Sequence, residues 1–406
     1  MANSLVFGPW SGGVTSSSAQ VVVAVGLNDS VAVAFSDRRG AGGELVQPRA
    51  AQEVSNLASA PSFSISTFQL SGLLPDTEYH YDVLVGGAAT PAARGRLKSF
   101  PREGHPASFR IVASGDAKTG SDHAVFDAIR AENPLLFVHL GDLHYEDIHD
   151  KNGVKYIRAY RRVLSQPRQA ALYRDVPIAY TWDDHDYSHN NATSEAIGRI
   201  VARQMYVACV PHYPITEAGF DRAIYQTFTI GRVRFLLSDC RSERAKTTTM
   251  LGSVQKEALK EEMLRGRDEH GLVVWINTIP WIAAKGHKGW DQWPEERAEI
   301  AEFITQNKIN NLCMLSADAH MLAIDDGSNN RPPNAGGGFP IFQASPLDRS
   351  GSIKGGPYSH GPIEANGGQY GVMEVTDDGK TVKVRWEGKR VGKGVLLSHE
   401  FTAPRS

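Results

Sequence analysis

Cysteine is scarce in this chain of 406 residues: Cys209, Cys240 and Cys313 are the three it has, far apart and without a CxxC pair. The odd count and the spacing exclude a disulfide framework or a zinc knuckle, and the apolar neighbours predict buried, reduced thiols. Long hydrophobic runs are missing too, since none approaches the roughly 18 residues of a membrane-spanning helix. The opening MANSLVFGPWSGGVTSS lacks the basic and apolar segments of a secretory leader, so the chain as written is expected to be cytoplasmic, although one whose leader had been removed would read the same. Net charge is nearly absent, with 43 Lys plus Arg against 45 Asp plus Glu, which excludes nucleic-acid binding by bulk basicity.

What is present suits a folded protein. With 41% hydrophobic and 22% charged residues the chain can bury a full core, and disorder or a collagen-like fibre is excluded. At about 150 residues per domain the length gives two or three domains. Residues 1–100 lack helical periodicity and read as short strands (20–25, 30–36, 64–70, 77–85, 95–100) between Gly, Pro, Asn and Asp clusters, as in a small β-sandwich. Within LSGLLPDTEYHYDVLV, a turn at Pro75-Asp76 precedes a strand carrying Tyr79, Tyr81 and Val83 on one face, which resembles the fibronectin type III signature. The stretch PAARGRLKSFPREGHPAS marks a boundary, dividing 1–103 from 104–406. Beyond it, strand-like runs (109–113, 135–140, 177–181, 233–237, 272–276, 312–315) alternate with helical patterns (122–131, 194–207, 254–265, 294–306), the rhythm of an α/β domain. The Gly-, Pro- and Ser-rich residues 336–368 predict loops over a site, and the last 35 or so residues predict closing antiparallel strands.

Polar clusters stand where the apolar runs stop: SGDAKTG, GDLHY, WDDHDY and SADAH, with Asn277 in LVVWINTIPW at a comparable place. Loops beyond strand carboxyl ends are where α/β sheets bind ligands. So many carboxylates without matching Arg or Lys repel one another unless cations sit among them. Carboxylate, amide, imidazole and phenolate donors suit hard or borderline ions such as iron, manganese or calcium. Two such ions about 3.5–4 Å apart can clamp a phosphoryl group and share a hydroxide nucleophile, which predicts phosphate-ester hydrolysis. Singly each residue has a plainer reading: Asp116 and Asp142 as helix caps, Tyr145 as a half-buried aromatic, His320 as a core histidine, and Asp183, Asp184 and Asp186 as a solvated loop.

In this order the clusters resemble the metallophosphoesterase pattern. WDDHDY followed by Asn190 and Asn191, SDCRSER with LGSVQ, WDQWPEER and LSADAH resemble the alkaline phosphatase D (PhoD-like) family, over most of residues 108–402. The resemblance implies a layered α/β/β/α catalytic domain behind a fibronectin type III-like β-sandwich. It implies one ion, ferric iron, held by Asp116, Asp142, Tyr145 and His320, with Asp142 bridging. A second ion, calcium, manganese or magnesium, would be held by Asp142, Asp184, Asn277 and Asp318. His185 would bind phosphate or protonate the leaving oxygen, Asp186 would fix its tautomer, and Asn190, Arg241 and Arg244 would contact phosphate, Arg241 having a salt bridge to Asp239 as its structural alternative. His287, Trp290 and Trp293 would shape the rim or simply pack. Ser114-Gly115-Asp116 departs from the family's cysteine ligand and is closer to purple acid phosphatases. The substrate would be a small-molecule or lipid phosphate ester, diester or monoester, with oligomeric state left open. The competing expectations are a phospholipase D-like phosphodiesterase of the same family, a hydrolase using paired carboxylates alone, such as a glycosidase, and a non-catalytic metal-containing binding protein.

Overall fold

The computed structural model describes residues 5–59, 63–215, 219, 221–282, 289–330 and 338–404. The first part of the chain is all strand: β1 (Leu5–Gly12), β2 (Ser18–Gly26), β3 (Val31–Ser36), β4 (Arg49–Ala50), β5 (Gln52–Ser59), β6 (Phe63–Ser71), β7 (Glu78–Val85) and β8 (Ala88–Lys98). Then come β9 (Phe109–Ser114), α1 (Val125–Ala131), β10 (Leu136–His139), α2 (Gly153–Leu164), α3 (Pro167–Asp175), β11 (Ile178–Tyr180), α4 (Asp184–Tyr187) and α5 (Arg199–Cys209). The second half runs β12 (Gln226–Ile230), β13 (Val233–Leu237), α6 (Ser253–Glu269), β14 (Leu272–Ile276), α7 (Pro294–Gln306), β15 (Leu312–Ser316), β16 (Met321–Asp325), β17 (Ile341–Ala344) and β18 (His360–Glu364). Three antiparallel strands close it: β19 (Gln369–Asp377), β20 (Val382–Arg390) and β21 (Gly394–Ala403).

Two sheets face each other with helices outside both. One has the order β21-β20-β19-β9-β10-β11-β1-β2-β6-β5, the other β12-β13-β14-β15-β17-β16-β18. Strand periodicity sorts side chains between layers. Ile111, Ala113, Leu136 and Val138 of the first sheet meet Phe235, Leu237, Val274, Ile276 and Leu315 of the second in a shared inner core. The alternate residues Val112, Phe137 and Ile178 face α1, α2, α3 and α5, while Val273, Trp275 and Met314 pack under α6 and α7. Both faces of β9, β10, β14 and β15 are therefore covered, which is why these strands read as unbroken apolar runs rather than as alternating ones. The layered α/β/β/α expectation describes this arrangement.

The first hundred residues fold as two sheets, but one of them continues into the large sheet. A parallel bridge joins Gly12 of β1 to Ile178 of β11, and only β4-β3-β7-β8 stands as a separate sheet. Tyr81 Oη donates to the Arg174 carbonyl at 2.9 Å, and Trp10 Nε1 donates to the Cys209 carbonyl at 2.9 Å. Sequence patterning passed over β1 and both α2 and α3. The buried stripe of α2 is Tyr156, Ile157, Ala159, Tyr160, Val163 and Leu164, in which two tyrosines among arginines disguise the apolar face. The three thiols are free and buried, as expected. Among the described residues no helix is long and apolar enough to cross a membrane.

Candidate metal centre

The carboxyl ends of β9, β10 and β11 in one sheet meet those of β14 and β15 in the other, where Tyr145 reaches Asp116 and His320 and Thr278 reaches Asp183. The donors thus come from two facing sheets rather than one sheet edge. Asp116, Asp142 and Asp318 each sit in left-handed backbone just beyond a strand, at φ +63°, +52° and +59°. Aspartate tolerates that region better than most residues, and such strain persists where the surroundings over-determine it. Gly141, at φ +91°, has no alternative: a Cβ there would lie 2.6 Å from that of Asp183, so the β10 and β11 loops can close only on glycine.

Around Asp116 the donors are bare. Its Oδ1 accepts from Tyr145 Oη at 3.2 Å and lies 3.2 Å from His320 Nε2, while its buried Oδ2 has no hydrogen-bond partner. His320 Nδ1 sits 2.6 Å from the Ser350 carbonyl. A carbonyl only accepts, so Nδ1 carries a proton, and Nε2 is the ring nitrogen turned toward Asp116 and Tyr145, the one placed to ligate a metal. Asp142 is buried beside them and accepts the His185 amide at 3.1 Å. Burial, and then the charges of Asp184, Asp183, Asp186 and Asp116, push its carboxyl well above the usual range. Burial and the charges of Asp142 and Asp116 likewise push the Tyr145 phenol up.

A second group adjoins the first. Donor atoms of Asp142, Asp184 and His185 lie within 4.8 Å of one another, as do those of Asp183, Asp184 and Asp318. Asp184 accepts the His185 amide at 3.0 Å and the Asn191 amide. An orphaned carboxylate oxygen, an imidazole nitrogen turned toward it, and aspartates gathered within 4.8 Å together fit hard metal cations.

The structure redistributes several expected roles. Asn277 is not brought into the cluster: its Oδ1 accepts from Cys240 Sγ at 3.0 Å and Trp290 Nε1 at 3.1 Å, and its Nδ2 donates to the Ile279 carbonyl at 2.6 Å. The adjacent Thr278 points there instead, donating to Asp183 Oδ1 at 2.8 Å. Arg241 is no exposed phosphate clamp, and its guanidinium is not paired with Asp239, which it meets through its backbone amide. Its Nε and Nη2 fork onto Asp183 at 2.7 Å each, and Nη1 lies 3.6 Å from Asp184 Oδ2. Even so, burial outweighs Arg241, and with Asp184 and Asp318 nearby the Asp183 carboxyl is pushed up to about 6. Asp186 does not touch the His185 ring. Its carboxylate takes the Leu143 and Asp183 amides and the Tyr180 hydroxyl, tying the β10 and β11 loops together, and burial pushes it up to about 8.

Asp147 holds His185 instead, with its Oδ1 2.6 Å from Nδ1, and the imidazole lies against Tyr145 with ring centroids 4.2 Å apart. A solvated loop carboxylate in HYED gave no signal of that role. Arg244 is buried, stacked 4.3 Å over the Trp293 ring, with Nε and Nη1 lacking partners. Burial and the neighbouring Arg241 lower it to about 10, still charged at neutral pH. Asn190 is exposed, and it is the Asn191 amide that reaches Asp184. Trp290 and Trp293 are buried packing residues, and His287 lies outside the described residues. Lys354, from the Gly-rich loop after β17, was not anticipated: it bonds Asp318.

Comparison with known proteins gives a consistent picture. The family model for PhoD-like phosphatase matches residues 111–358. Alkaline phosphatase D of Bacillus subtilis (strain 168) is 22% identical over 305 residues, covering 62% of this chain and 52% of its own, so the chain spans about half the length of that relative. The solved structure of PhoD is similar with a TM-score of 0.76 at 17% identity, covering 99% of this chain and 91% of that one. Purple acid phosphatase PPD1 from yellow lupin (Lupinus luteus) seeds is similar with a TM-score of 0.66 at 14% identity, covering 97% of this chain and 73% of that one. At these identities the two structures share the fold.

Proposed function

The chain belongs to the PhoD-like phosphatases, and from that premise we propose that it hydrolyses phosphate esters, diesters or monoesters, at a centre of two metal ions. The observation that carries this reading is the junction of Asp116, Tyr145 and His320 with Asp142, Asp184 and Asp318 at the strand ends of two facing sheets. By ligand hardness, the phenolate- and imidazole-bearing position suits ferric iron, and the all-carboxylate one suits calcium, manganese or magnesium. Cations bound there would offset the carboxylate repulsion, polarise a phosphoryl group and lower the pKa of water.

The chain's own groups divide the remaining work. Asp142 lies between the two groups and is the candidate bridge. His185, its Nδ1 proton held by Asp147, presents Nε2 as the atom that gives a proton to the leaving oxygen. Arg244 carries unmet guanidinium donors beside the carboxylates and is the candidate phosphate fork. Arg241 and Thr278 position Asp183, and through it the Asp184 turn. The same reading divides the chain into a fibronectin type III-like unit, 1–103, and a catalytic unit, 104–406, docked through the β1–β11 seam. The test is release of nitrophenol from bis-nitrophenyl phosphate and nitrophenyl phosphate by metal-replete protein between pH 6 and pH 10. Turnover of at least one, abolished by chelator and by Asp142→Asn, is expected; turnover of neither would overturn the proposal.

A further inference from the structure

The second acidic group already holds organic cations of its own. Arg241 is forked on Asp183. Lys354 Nζ donates to Asp318 Oδ2 at 2.9 Å and to the Asp318 carbonyl at 2.8 Å. The lysine is held there by its backbone. Gly355, at φ +76°, packs so tightly that a Cβ would lie 1.8 Å from the Ile282 carbonyl oxygen. The Gly356 amide donates to that carbonyl at 3.1 Å, and Tyr358 Oη donates to the Lys354 carbonyl at 3.1 Å. Three-quarters of the side chain is buried, at 26% exposure. At the first position the corresponding partner of Asp116 is the His320 imidazole, itself a donor nitrogen for a metal, 3.2 Å away.

Resting on the two-ion reading above, we propose that Lys354 is a resident counter-ion of the second position, competing with a divalent ion for Asp318 and keeping that position weak and exchangeable. An ammonium is a compact point charge on a flexible stem, so it can neutralise Asp318 and still withdraw when a divalent ion arrives. The centre is then asymmetric by construction. The position around Asp116, Tyr145 and His320 retains its ion, and the position at Asp318 samples the surrounding divalent pool. Lys354 is a positioning and selectivity residue here, with no assigned part in bond breaking.

The test is a titration of chelator-stripped full-length protein with Mn2+, free Mn2+ being counted by electron paramagnetic resonance, for wild type, Lys354→Met, Lys354→Gln and Lys354→Arg. Wild type is expected to show a tight and a weak class of sites. In the Met and Gln variants the weak class tightens about ten- to a hundredfold, the usual span of coupling between two ligands, while Arg stays within about threefold of wild type. A variant that merely folds badly moves the other way, so unchanged or weakened binding in Met and Gln overturns the role of Lys354. Wild-type protein that takes up no Mn2+ overturns the two-ion reading itself, a result distinct from the first.

Discussion

Replacing Arg241 by Met would leave the Asp183 carboxylate buried without the fork that neutralises it. Both side chains are essentially inaccessible, and the two 2.7 Å bonds are joined by a 3.6 Å approach to Asp184. Removing one partner of such a pair costs about 3–5 kcal/mol, because the other charge stays desolvated. The pH dependence identifies the cause. The Asp183 carboxyl is raised from 3.8 to about 6 by burial, opposed by Arg241. A raised folded-state pKa contributes stability that is fully present below the unfolded value and is lost as pH rises through the folded one. Without Arg241 the folded value climbs further, so the loss continues beyond pH 6 in the variant while it has ended in wild type. The deficit of Arg241→Met should therefore grow by about 1.4 kcal/mol per pH unit above 6. Urea unfolding of chelator-stripped protein at pH 5, 6, 7 and 8 measures it, and saturating divalent ion should narrow the gap. Adding Asp183→Asn should relieve much of the deficit, as expected for coupled neighbours. A deficit under about 1 kcal/mol that is flat from pH 6 to 8 would refute the counter-charge argument.

Asp147→Asn should lower turnover about tenfold or more, with a larger effect on alkyl than on nitrophenyl leaving groups, whereas Asp186→Asn should lower the melting temperature and leave the pH–rate profile in place; steady-state kinetics on both substrates separate the two. His139 is fully buried with neither ring nitrogen hydrogen-bonded, and burial lowers it from 6.5 to about 3. Its contribution is present above pH 6.5 and is lost as the unfolded chain takes up a proton, so His139→Phe should flatten acid unfolding by up to about 1.4 kcal/mol per pH unit below that point, read from urea midpoints. Tyr145→Phe should abolish a broad visible absorption band of the metal-replete protein; a wild-type band that survives the substitution would remove the phenolate from the first position.

How much of this was legible follows from how each feature is encoded. The strand-end clusters were visible because an apolar run that stops at GD or SADAH is a local pattern, and α7 was read to its exact bounds because Pro294 and the Glu295-Glu296 first turn signal its start. The hidden α2 and the uncounted β1 were not, since tyrosines among arginines and a bulged strand give no clean period. At the site, position along the chain located the donors but not their partners. Asp186 is one residue from His185, yet Asp147, 38 positions away with α2, α3 and β11 between, reaches its ring. Asn277 occupies a plausible strand end, yet Cys240 and Trp290 claim its amide.

The sequence by itself determined which residue types stand at the ends of β9, β10, β11 and β15: carboxylates at all four, with a phenol after β10 and imidazoles after β10, β11 and β15. Only the tertiary structure decided that two sheets, not one, bring them together, that Arg241 serves Asp183, and that Lys354 reaches Asp318 from a distant loop. The physical reason is range. Periodicity and turn chemistry act over a few residues, whereas a buried carboxylate takes whichever donor the packing of two sheets sets within about 3 Å of it.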